Sequence, residues 1–347
     1  MKGLKRILAI ALASVLLAGI GATVWLFSEL QTPYYSAPTK EVSLEIPSRA
    51  STSRIADLLV QTGVLRRRLP FIVYIRYKDL ERQIKAGEYS FSKAATPGEI
   101  ARRLVRGDVT FRSVTIPEGL TAGDTIELLA KNGLGNPGNL RQLLSKTDLI
   151  RDIDPKARNL EGYLFPETYR FGSRVDSETV LKNMVQQFRV RIARLTAVHP
   201  LPAGWTMPRI VTLASMIEKE AKKKDEGPLI ASVLINRLEK GMPLGCDATI
   251  IYAKKLAGTY NGNLSKADMR METPYNSYLH PDLPPGPIAN PGEDSLRAAL
   301  NPARTDYLYY VSRNDGTHQF SKDFASHNRA VDRFQRSAAG RRSAGKR

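Results

Sequence analysis

The longest apolar run stands at the start of the chain, where Ile7 to Phe27 carries no charged residue and follows Lys2, Lys5 and Arg6. A helix over that run is long enough to span a bilayer, and the basic residues before it hold its N-terminus inside. The apolar core of a cleaved signal peptide is shorter, about 7 to 15 residues. Residues 1–27 therefore read as a cytoplasmic start and a transmembrane anchor, and 28–40, polar and proline-containing, as a tether. No cysteine stands at Leu17-Ala18-Gly19-Ile20, where a lipid anchor would need one.

Beyond the tether the pattern repeats itself once. Ile46-Pro47 is followed by Ser51, Leu58-Leu59 and Gly63, and Ile116-Pro117 by Thr121, Leu128-Leu129 and Gly133. Each copy predicts a short strand, a helix started by Ser or Thr, and a Gly near the helix end. Between them, Thr96-Pro97-Gly98-Glu99 predicts another helix start, a capping box with Pro in the first turn. Residues 41–112 read as a small α/β module.

Helical spacing then dominates. Val180, Leu181, Met184, Phe188 and Ile192 share one face of a helix over Ser177 to Val198. A second helix is predicted over Pro208 to Glu226, after Thr206 as N-cap, with Ile210, Leu213, Ala214, Ile217 and Ala221 on its apolar face. A third covers Leu229 to Leu238. Cys246-Asp247-Ala248-Thr249 reads as an Asp-x-Thr loop, and Leu283 to Gly292, rich in Pro and Gly, as a fixed loop. Tyr307 to Ser312 predicts a strand, His318 opens a closing segment, and 336–347 is a basic flexible tail. The fold class expected is α+β.

Composition narrows the function. The net charge of +18 suits an anionic polymer or surface. The excess is scattered, and no aromatic platform or recognition motif accompanies the basic tail, so a nucleic-acid partner is not expected. One cysteine, Cys246, excludes an intrachain disulfide and a multi-thiolate zinc site, and the four histidines show no metal-ligand spacing. No metal or cofactor is expected.

The candidate chemistry lies in the helix from Pro208. Glu218 directly follows Ile217 in an apolar run, and a carboxyl held against apolar neighbours favours its protonated form, which a general acid requires. Glu220 flanks the same stripe on its other side, so periodicity does not choose between the two. Lys222 and Lys224 lie four residues beyond each, the spacing of ordinary surface ion pairs. Glu161 and Glu167, in Leu160 to Tyr169, are candidates to line a polar groove, and Tyr275 and Asn276 are of the kind that hold sugar hydroxyls and amides.

Five segments in register resemble the YceG-like, or MltG, endolytic murein transglycosylases: LEGYLFPETY at Leu160 to Tyr169, LASMIEKEA at Leu213 to Ala221, ASVLINRL at Ala231 to Leu238, YNSY with LPPGPIANPG, and FASHNRAV at Phe324 to Val331. The resemblance implies a single-pass protein of the cytoplasmic membrane with a LysM-like module at 41–112 and an outward catalytic domain at 113–335. It implies endolytic cleavage of peptidoglycan glycan strands, limiting their length, with cell-wall synthases as possible partners. Carried over by motif, the catalytic residue falls on Glu218; Glu161, Glu220, Asp247, Thr249, Tyr275 and Asn276 are substrate-binding candidates. The family's Gln-x-Asp-Pro-Thr run reads Gly245-Cys246-Asp247-Ala248-Thr249 here, and Ser48-Arg49 stands where Gly is usual. A lysozyme-type hydrolase and a non-catalytic wall-binding scaffold are the alternatives.

Overall fold

The computed structural model describes residues 2–36, 41–172 and 175–337. The chain divides into two compact units, Met1–Arg112 with Arg170–Ser173, and Ser113–Tyr169 with Arg174–Arg347.

The first unit begins with α1 (Lys2–Gln31). Its stretch Ile10–Gln31 is long and apolar enough to cross a membrane, and side chains such as Leu17 and Val24 stand exposed. Of the segment read as a tether, Ser28 to Gln31 continue α1, Tyr34 bridges Ala95, and 37–40 lie outside the described residues. Next come β1 (Val42–Ile46), α2 (Thr52–Gln61), α3 (Arg68–Tyr77), β2 (Gly87–Phe91) and α4 (Pro97–Arg106). β1 and β2 pair antiparallel, Leu44 opposite Tyr89. Alternate strand residues Leu44, Ile46, Tyr89 and Phe91 close on Leu59, Phe71, Ile75, Ile100 and Leu104 to form one core.

The second unit contains β3 (Arg112–Thr115, from Ser113), α5 (Ala122–Lys131), α6 (Pro137–Leu144) and the start of β4 (Thr168–Phe171). It continues with α7 (Ser177–Val198), α8 (Met207–Glu220), α9 (Gly227–Glu239), α10 (Asp247–Leu256) and α11 (Glu293–Leu300), then the hairpin β5 (Tyr309–Ser312) and β6 (His318–Ser321), and α12 (Phe324–Val331). The part of the expected tail from 338 onward lies outside the described residues.

Both copies of the repeated pattern fold as read. Ser51 caps α2 by accepting from Arg54 N (3.2 Å), and Thr121 caps α5 by accepting from Asp124 N (3.0 Å). Gly63 and Gly133 take left-handed backbone just past the two helices, at φ 74° and 71°. The likeness extends to the turn before each cap, where Arg49 and Gly119 are both left-handed, at φ 61° and 76°.

Three expectations need correcting. First, α8 does not present one apolar face: every residue from Ile210 to Ile217 is buried, Thr212 and Ser215 included. α9, α10 and α11 pack against it. Ser215 fits there because its hydroxyl donates to Thr212 O (2.7 Å) and accepts from Ile288 N (3.0 Å). Second, α8 stops at Glu220, with Ala221 extended at ψ 108°, rather than running to Glu226. Lys222 and Lys224 lie past its end, so no i,i+4 ladder forms; Lys224 is drawn instead to Asp294 (2.6 Å) and Glu118 (3.8 Å). Likewise the Asp-x-Thr segment is not a loop but the first turn of α10, where the Asp247 carboxylate suits the positive end of the helix.

Candidate active site

Because α8 is enclosed over its length, its last turn is where polar side chains emerge from the core. Glu218 is half-buried there and accepts a hydrogen bond through Oε2 from Gly292 N (3.0 Å). Gly292 is the N-cap of α11, so the carboxyl faces the start of a helix. The Pro-rich loop before it is tied down by Asn290, which is 1% exposed. Asn290 N donates to Leu120 O (2.8 Å), and Asn290 O accepts from Gly119 N (3.0 Å). Its side chain accepts from Leu164 N (3.0 Å) and donates to Leu120 O (3.0 Å). One residue thus fastens the turn at Gly119 and the segment at Leu164 to the loop that carries Gly292.

Glu220, two residues on, turns to different partners. Cys246 Sγ donates to Glu220 Oε1 (2.9 Å), and the Tyr310 hydroxyl bonds to the same carboxyl. Burial pushes the Glu220 carboxyl up, and the nearby Asp247 adds to this. The Cys246 thiol is pushed well up by its own burial and by Glu220, which leaves it unreactive. His318, edge-on to Tyr310, closes a second buried pair with Glu226 (Nδ1 to Oε2, 2.7 Å).

The other nominated residues sit as follows. Asp247 is exposed and accepts from the Tyr278 hydroxyl. Thr249 is fully buried, its hydroxyl bonded to Cys246 O (2.7 Å) and to Ser277 Oγ (2.9 Å). Asn276 is also fully buried; it donates to Met269 O (3.2 Å) and Met271 O (2.8 Å) and accepts from Tyr278 N (2.9 Å). Thr249 and Asn276 therefore spend their polar groups inside the protein, shaping the loop that presents Tyr275 and Tyr278. Glu167 belongs to an ion-pair chain with Arg191 (2.7 Å), which also holds Glu293 (3.1 Å).

Glu161 is 5% exposed, and its Oε1 accepts from Ala122 N (2.8 Å) in the first turn of α5. The Tyr252 hydroxyl bonds to the same carboxyl, and Tyr275 bonds in turn to Tyr252, with ring centroids 5.0 Å apart. Burial pushes the Glu161 carboxyl up to about 8 against these hydrogen bonds. Between the ordinary 4.5 and about 8, the folded chain keeps a proton that the unfolded chain releases. Stability from this group is thus fully present below the ordinary value and is lost as pH rises to about 8. Melting temperature is expected to fall between about pH 5 and pH 8, and more shallowly in Glu161→Gln. An equally steep fall in the variant would disprove the assignment. Glu118 and Glu220, also pushed up by burial, contribute the same sign, so the slope shrinks without vanishing.

Glu118 was not singled out from the sequence. It lies in the turn between the second Ile-Pro pair and the cap of α5, packed over Gly292 so that a Cβ there would collide with its carboxyl. The signal was available in the repeat itself: the second copy has Glu118-Gly119 where the first has Ser48-Arg49. Among the described residues no group of three His, Cys, Asp or Glu is arranged to hold a metal ion. An open depression of about 520 Å³ between β6 and α12 is lined by Tyr307, Phe320, Arg329 and Phe334, and by none of the nominated residues.

With this geometry in hand, the YceG-like family description matches residues 44–333. The chain belongs to the YceG-like family. Relatives bear names that state an activity. This YceG-like chain is 31% identical over 334 residues to the endolytic murein transglycosylase of Bacillus subtilis, covering 91% of each. To that of Streptococcus pneumoniae serotype 2 it is 27% identical over 324 residues, covering 84% of this chain and 58% of that protein's length. Among solved structures, a YceG-like protein of Listeria monocytogenes superposes with a TM-score of 0.56 at 29% identity, covering 83% of this chain and 98% of that one.

Proposed function

We propose that this protein is a membrane-anchored endolytic peptidoglycan transglycosylase in which Glu218 is the acid and then the base. The observation that carries the reading is the Glu218 carboxyl, emerging half-buried from the end of an enclosed helix and fixed by the Gly292 N–H, in a family whose curated relatives are named for this activity. Protonated Glu218 donates to the oxygen linking N-acetylmuramic acid to N-acetylglucosamine. As carboxylate it takes the proton of the muramic acid C6 hydroxyl, whose oxygen closes on C1 and leaves a 1,6-anhydro end without water. Fixing the carboxyl on rigid elements is what makes one group serve both steps. In this reading Tyr275, Asp247 and Tyr278 face the glycan, while Glu161, Glu220, Thr249 and Asn276 hold the walls.

α1 anchors the protein, with the rest of the first unit and the second unit outside the cytoplasm; its apolar, uncovered surface supports this. A mature chain beginning after α1 would instead mark the helix as a cleaved signal. The segment from β1 to β2, two paired strands flanking two helices, is the LysM-like part, and a wall synthase delivering nascent strands is the implied partner. Digestion of purified glycan strands tests the activity. Product masses lighter by one water than reducing ends are expected, whereas reducing ends would make the protein a lysozyme-type hydrolase and intact strands a scaffold.

A further inference from the structure

The turn before α5 brings a second carboxyl group to Glu218. Gly119 lies against the Glu218 side chain: a Cβ at this left-handed position would stand 3.4 Å from Glu218 Cγ and 3.8 Å from Oε1. On the other side, Gly292 gives its N–H to Glu218 Oε2 while the Glu118 carboxyl lies over its Cα. The two carboxyl groups therefore meet at Gly292. The Glu118 side chain remains 41% exposed, so the pair is open to solvent and substrate.

The charged groups around the pair are few. Lys224 lies 3.8 Å from Glu118, yet its closer partner is Asp294 at 2.6 Å. Asp294 itself faces Glu118 from the first turn of α11. Lys219, between Glu218 and Glu220 in the last turn of α8, donates from its ammonium to Gly119 O (3.1 Å). Two ammoniums, each engaged elsewhere, thus stand against three acids. Burial and the Glu218 carboxylate push the Glu118 carboxyl up, with Lys224 pulling the other way. Two carboxyl groups confined together resist ionising together, and such a pair titrates as a unit.

We propose that Glu118 is the partner carboxyl of Glu218, the two holding one proton between them so that Glu218 meets its substrate as the acid. The inference rests on the reading of Glu218 as proton donor. Its logic covers both halves of the reaction. Before cleavage the pair keeps one proton because two negative charges meeting at Gly292 repel, and that proton is the one Glu218 delivers. Once that proton has gone to the glycosidic oxygen, two negative charges stand side by side, which makes the Glu218 carboxylate a stronger base for the C6 hydroxyl proton. Taking that proton restores the starting state, with none gained or lost. Glu118 acts through Glu218 and is a positioning residue.

The test is the pH profile of kcat/KM on glycan strands, using the full-length protein in detergent and the variants Glu118→Gln and Glu118→Asp. In Glu118→Gln the alkaline limb is expected to move down by about one pH unit, giving about a 10-fold loss above the limb and little change below it. Glu118→Asp, which keeps the charge, is expected to restore the limb. The position of a limb does not depend on how much of a variant is folded, so poor folding leaves the test intact. A limb that stays in place, or a loss equal at every pH, would overturn the proposal. Failure of the underlying reading would be visible separately, as activity retained in Glu218→Gln or as reducing ends made by the unaltered protein.

Discussion

Replacing Glu218 by Gln is expected to slow glycan cleavage by about 10²–10⁴-fold, the usual share of a general acid and base. Gln preserves the shape of the side chain, and its amide oxygen still accepts the Gly292 N–H that Oε2 accepts now. What it lacks is a proton to give and a carboxylate to take one back. Glu218 is only half-buried at the end of α8, and Gln leaves the Gly292 N–H satisfied, so melting temperature is expected to shift by no more than about 2 °C. Release of soluble fragments from glycan strands measures the rate, and sedimentation with intact strands measures binding. Retained binding with lost cleavage separates an enzyme from a scaffold, because a scaffold would lose nothing. Full cleavage by the variant would remove Glu218 from the mechanism.

The periodic parts of the fold were legible because their causes are local. α7 occupies Ser177–Val198 as read, since its apolar spacing and its Asp176 cap lie within one stretch of chain. The caps at Ser51, Thr96 and Thr121 were legible for the same reason. The end of α8 was not, because no Gly or Pro stands between Ala221 and Glu226 to mark it. The same limit applied to the two glutamates. A helical wheel set Glu218 and Glu220 apart but could not say that one meets Gly292 while the other meets Cys246 and Tyr310. Residue type nominated Asn276 and the family motif nominated Thr249; buried main chain claims polar groups of both. Glu118 escaped notice because it lies far from Glu218 in sequence, and only the folded turn brings the two together.

Replacing Asn290 by Ala is expected to cost the second unit about 2–4 kcal/mol, lowering its melting temperature by about 5–10 °C. The side chain is buried and bridges two main-chain groups, the N–H of Leu164 and the C=O of Leu120. Ala leaves the Leu164 N–H without its acceptor in a site closed to water, and an unpaired buried donor is the expensive outcome. The Leu120 carbonyl suffers less, because Asn290 N still donates to it. Asn290→Asp separates hydrogen bonding from packing. Asp fits the same space and can accept from Leu164 N, but its second oxygen would face the Leu120 carbonyl, so it too is expected to destabilise. If Asp behaved like Asn, the bond to Leu120 would carry nothing. The damage should also reach the chemistry at temperatures where the variant remains folded. Gly292 lies two residues after Asn290, and Gly119, held by the Asn290 carbonyl, lies against the Glu218 side chain. A loosened Asn290 therefore frees both neighbours that fix the Glu218 carboxyl. Cleavage assayed well below the melting transition should drop while binding of intact strands persists; unchanged cleavage there would mean that Glu218 is held without this strap.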